Sequence, residues 1–174
     1  MYSAKLFEKI RFPVGKVFED VLTIPRVFEK ASRVVLNDVA KYYYLQRAGS
    51  ILHEQTQELK LAYINAAIEI TEELRKIEPK LENYCDYSIA HIALKTYNDI
   101  GLFDMNDLLE TEEIQRLYKR LVQIFDAKKV EEVLFQETSS VKKLHFYYLV
   151  LDKEGYLKNN KNLPELFPGW GKKE

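Results

Sequence analysis

Six residues able to meet an anionic partner follow one another at helical intervals: Arg26, Lys30, Arg33, Asn37, Lys41 and Tyr44. Spaced by three or four, they share one face of any helix that carries them all. A row of guanidinium and ammonium groups can track a phosphate backbone, with Asn and Tyr adding hydrogen bonds or stacking. The pattern predicts a face that binds RNA or DNA. The competing reading is an ordinary solvated helix surface, its field blunted by Glu29 and Asp38.

Other reactive side chains are sparse. His53, His91 and His145 stand in no His-x-x-x-His or Glu-x-x-His spacing, so neither a metal site nor a cofactor is expected. Cys85 is the sole cysteine, which rules out an internal disulfide and reads as a small packed residue in a reducing compartment. No catalytic residues are assigned, and the balance favours a protein that is not an enzyme. The acidic pairs Glu72-Glu73 and Glu112-Glu113 read as solvated faces.

At 174 residues the chain is long enough for one domain with its own core. A hydrophobic share of 47% and a charged share of 30% exclude a disordered chain, and only 6 Gly and 5 Pro favour long helices over a turn-rich β fold. No apolar run approaches the roughly 18 residues of a membrane span, and the charged N-terminus lacks the look of a signal peptide. A cytoplasmic protein without membrane contact is the expectation. Charge is segregated along the chain. Residues 1–49 carry 9 Lys/Arg against 5 Asp/Glu, residues 50–115 carry 5 against 14, and residues 116–174 carry 12 against 8. Opposite faces of this kind suit an anionic partner or a homo-oligomer that pairs basic face to acidic face.

The elements that must position these groups read as helices. An apolar seam of Leu52, Leu59, Tyr63, Ala66, Ile70, Leu74 and Ile77 predicts a long helix over 52–77, ended by Glu78-Pro79. Before it, a short helix over 4–11 and a piece over 14–22 lead to Thr23-Ile24-Pro25, a restart signal. From there Phe28, Ala31, Val35, Val39 and Tyr43 mark the core side of a helix running to Ala48-Gly49. Leu81, Cys85, Ile89, Ile92, Ala93, Thr96 and Ile100 predict a further helix ending at Gly101. Ile114, Leu117, Leu121, Ile124 and Phe125 predict another, opened by Thr111 and running on toward Leu134.

Beyond Ser139 two readings are open: a helix over 141–152 capped by Ser139-Ser140, or a β-hairpin over 144–157 turning at Asp152-Lys153-Glu154-Gly155. The fold class is therefore all-α: an antiparallel up-down bundle of four to five helices over 1–157. An irregular aromatic tail over 158–174 would dock on the bundle or a protein partner through Phe167 and Trp170.

Two resemblances follow from these residues. Arg47 and His53 have the Arg-x5-His spacing of HEPN ribonucleases, which are also helical bundles. There the pair acts on a scissile phosphate, and a ribonuclease is the alternative function. Ile24-Pro25-Arg26, the stretch Ala62 to Arg75, Ala93 to Phe103 and Thr111 to Phe125 together resemble a second group. It comprises the accessory variability determinant (Avd) proteins of diversity-generating retroelements and the ribosomal-RNA intervening-sequence proteins. That resemblance covers about residues 15–128. It implies a non-enzymatic oligomeric bundle that binds nucleic acid and a reverse transcriptase, with Arg26 and Arg75 at the positions of its basic residues. An extra segment around 79–87 and the residues beyond the fourth helix depart from the group's pattern. A purely structural or assembly bundle is the remaining alternative.

Overall fold

The computed structural model describes residues 2–43, 45, 56–137 and 140–159. Seven α-helices lie among them: α1 (Glu19–Lys30), α2 (Gln57–Ile77), α3 (Glu82–Leu102), α4 (Glu112–Ala127), α5 (Val130–Val133), α6 (Ser140–Leu151) and α7 (Lys153–Asn159). Short 3-10 turns stand at Ala4–Phe7, Pro79–Leu81 and Asn106–Glu110, and no strand occurs among the described residues. The protein is all-α. It divides into two compact units, Met1–Ile70 and Thr71–Glu174.

The second unit is built around α3. Of the predicted stripe Cys85, Ile89, Ile92, Ala93, Thr96 and Ile100 are buried, while Leu81, on the 3-10 turn before α3, is half-buried. Asp86, Ala90, Leu94 and Tyr97 are buried as well, so α3 is covered nearly all round, and α4, α5, α6 and α7 pack against it. On α4, Ile114, Leu117, Leu121 and Ile124 turn inward as their spacing predicts, while Phe125 is half-buried. The helix stops at Ala127, with Lys128 extended, and does not run on to Leu134.

The hairpin over 144–157 does not form. Phe146, Leu149 and Tyr156 are buried at helical intervals on α6 and α7. Asp152, the supposed hairpin turn, is instead a helix cap. Its carboxylate accepts the Gly155 backbone N–H at 2.9 Å, which satisfies an orphan donor at the start of α7.

The first unit departs more from the sequence reading. No helix runs from Pro25 to Ala48. α1 begins at Glu19, carries Pro25 in its interior and ends at Lys30, with Ala31 extended. Burial of Leu22, Thr23 and Val27 on one face outweighs the lost backbone donor at Pro25. Beyond Lys30 the chain has nothing to hold a helix. Val34 and Val35 are stiff at Cβ, and the Asn37 side chain accepts the Val39 N–H at 3.0 Å, a local turn that competes with helical bonding. The expected core stripe is not realised: Phe28, Val35, Val39 and Tyr43 are exposed.

α2 ends at Ile77 as Pro79 dictates. Of the predicted seam Ala66 and Ile70 are buried, Leu59 and Leu74 half-buried, and Tyr63 and Ile77 exposed; Ile64, Ala67, Ile68 and Thr71 are buried beside them. Leu52, Gly49, Arg47 and His53 lie outside the described residues. No helix among the described residues is long and apolar enough to cross a membrane.

Candidate functional site

The cationic residues of the first unit do not line up as one helical row. Arg26 lies on α1 and is 3.5 Å from Glu69 on α2; Lys16 is 3.6 Å from the same carboxylate. Lys30 pairs with Glu29 at 2.8 Å on the last turn of α1. Arg33, Asn37 and Lys41 follow in irregular chain, so they share no helix face with Arg26. Tyr44, Phe167 and Trp170 lie outside the described residues.

What the fold assembles instead is a groove of about 490 Å³ where the N-terminal 3-10 turn meets the end of α1. Lys5, Lys30 and Arg33 supply its charge, Tyr2 and Phe28 its aromatic walls, and Ser32 a hydroxyl. No carboxylate is among the described residues lining it. Two of the six cationic-row residues, Lys30 and Arg33, thus meet in one concave place, joined by Lys5, which the sequence reading passed over. Phe28 was expected in the core, yet it stands about half exposed beside the cations. Its spacing looked like a core position because a helix was assumed to continue beneath it.

At the opposite end of α1, about 16 Å away at 1.5 Å per residue, the backbone is strained. Phe18 is held left-handed (φ 57°), with Gly15 also at positive φ (74°) three residues earlier. A non-glycine residue adopts this region at a cost, and such outliers gather where the chain must aim a neighbouring group. The Phe18 ring packs edge-on against Tyr63 at 5.3 Å, and the turn presents the exposed carboxylates of Glu19 and Asp20 at the positive end of α1.

The second unit holds a buried polar cluster. Asp86, 2% exposed, accepts Arg75 Nη2 at 2.6 Å and Lys128 Nζ at 2.7 Å. Lys128 also donates to Asn83 Oδ1 at 3.0 Å, and Glu82 stands 3.7 Å from both cations. This cluster ties the end of α2, the start of α3 and the residue after α4 together. Arg75 is occupied here rather than presented to a partner. Burial pushes the neighbouring Cys85 thiol up, against the pull of Arg75, and with Asp86 and Glu82 adding to the rise. A thiol held protonated is a poor nucleophile.

Comparison with known proteins supplies a different direction from the cationic row. The chain is 28% identical over 136 residues to the glycosyltransferase GlyA of Streptococcus pneumoniae serotype 4. It is 29% identical over 133 residues to the glycosyltransferase GlyG of the same organism. The matches cover 77% and 74% of this chain, but only 20% and 42% of those proteins. The chain therefore spans about a fifth and about two fifths of the lengths of these curated relatives. No family model matches, and no solved structure does.

These matches overturn the reading as a nucleic-acid-binding accessory protein, together with its ribonuclease and assembly alternatives. The relatives are named for glycosyl transfer, and the helical row that carried the nucleic-acid reading is broken at Ala31. Among the described residues no three His, Cys, Asp or Glu side chains gather as a metal set.

Proposed function

We propose that this chain works in glycosyl transfer, as the helical part of a glycosyltransferase-related protein. The observation that carries the reading is the match of three quarters of the chain to two proteins named glycosyltransferases. Moving a sugar onto a hydroxyl needs a base for the acceptor proton and positive charge for the departing phosphate. The first unit offers the second of these. Lys5, Lys30 and Arg33 line a groove there. The free, buried Cys85 supports a reducing, cytoplasmic setting.

The test is a chimera in which the matched stretch of GlyG is replaced by the corresponding residues of this chain. Sugar transfer by the folded chimera is the expected result. A folded chimera that releases no nucleotide and transfers no sugar would sink the proposal.

A further inference from the structure

We propose that the groove between the N-terminal 3-10 turn and the end of α1 binds a nucleoside diphosphate, the leaving group of a sugar-nucleotide donor. The choice of a nucleotide over any other anion rests on the glycosyl-transfer reading; the site itself rests on its lining. Three cations, Lys5, Lys30 and Arg33, converge on a concavity of about 490 Å³ that no described carboxylate lines. That volume lies within the usual range for small-molecule sites. A diphosphate brings two to three negative charges, which three such cations match, and the Arg33 fork suits a phosphate oxygen pair.

Charge alone would suit any polyanion. The aromatic residues narrow the class. Phe28 and Tyr2 both line the groove and both keep about half of their surface exposed, so a flat base can stack there without rearranging a core. Ser3 and Ser32 add hydroxyls for the polar edges of a ribose or base. Among the described residues Glu29 pairs with Lys30 at 2.8 Å, and Lys30 keeps most of its side chain in solvent.

Isothermal titration of the full chain with UDP, GDP, ADP and inorganic diphosphate tests this. We expect a nucleoside diphosphate to bind. Its affinity should fall about tenfold in Lys30→Ala and in Arg33→Ala, the loss of one charge-assisted contact. Phe28→Ala should weaken the nucleotide while leaving inorganic diphosphate unchanged. Lys30→Gln, which keeps the stem, should behave as Lys30→Ala. No binding of any of the three nucleotides at millimolar concentration would overturn the assignment, as would binding indifferent to both Lys30 and Arg33. Equal affinity for inorganic diphosphate would overturn the nucleoside part.

Each reading can fail by itself. Unimpaired sugar transfer by a chimera carrying Lys30→Ala and Arg33→Ala would remove the groove and leave the function. Lys30- and Arg33-dependent nucleotide binding without transfer would do the reverse.

Discussion

Asp86 is the residue on which most of the buried charge of the second unit converges. One carboxylate accepts from Arg75 at 2.6 Å and Lys128 at 2.7 Å while almost wholly shielded from water. A buried charge is tolerated when it is paired and hydrogen-bonded, and removing one partner leaves the others uncompensated. Asp86→Ala should therefore lower unfolding free energy by about 3 kcal/mol, the low end for a broken buried pair, since both cations keep some exposure. Urea denaturation measures it, and a change below about 1 kcal/mol would mean the cluster is a solvated contact. Nothing in the spacing of Arg75, Asp86 and Lys128 announced this meeting. The residues are 11 and 42 apart, and only the packing of α3 against its neighbours brings them together.

At the scale of the element, the junction of α6 and α7 shows how one local motif admits two structures. Asp-Lys-Glu-Gly serves a hairpin turn as well as it serves a helix start, and His145 to Leu151 is β-prone. The helix wins because Phe146, Leu149 and Tyr156 bury together only at helical spacing. Gly155 is then required. A Cβ there would lie 2.0 Å from Asp152 Oδ2 and 2.9 Å from the Tyr148 hydroxyl, expelling the carboxylate that caps α7. Asp152→Ala should cost about 1 kcal/mol, the usual value of a cap. Gly155→Ala should destabilise although alanine is the better helix former, and in the Asp152→Ala background it should become neutral or stabilising. A thermal-denaturation double-mutant cycle checks the sign; simple additivity would refute the coupling.

At the scale of the whole molecule, the half-buried His91 and the buried His145 link stability to pH. Burial holds the His91 imidazole below its ordinary value, with Lys142 adding to the fall and Glu137 opposing it. Burial does the same to His145, whose ring lies edge-on to Tyr156 at 5.9 Å. The folded state thus takes up these protons at lower pH than the unfolded chain. Below the unfolded value of about 6.5 the unfolded chain binds more protons, so stability is fully present above that pH and declines as pH falls through the window beneath it. Urea midpoints measured from neutral to mildly acidic pH should fall accordingly. Replacing His91 by Gln should flatten part of the slope, and an unchanged slope would place the titration elsewhere.

The all-α class, the stripes of α3 and α4 and the stop before Pro79 were legible in the sequence, because each follows from local preference and periodicity that tertiary packing reinforced. The cationic row from Arg26 to Tyr44 shows where periodicity ceases to be evidence. Helical spacing makes a helix only when one face is buried, and Val35, Val39 and Tyr43 stay exposed, so the chain leaves α1 at Lys30. Spacing along a chain cannot say which distant residues share a cavity. The sequence by itself determined the helices whose apolar faces were certain of burial. The tertiary structure alone decided that Lys5, Lys30, Arg33 and Phe28 line one groove and that Asp86 draws in Arg75 and Lys128, because both are long-range juxtapositions set by packing.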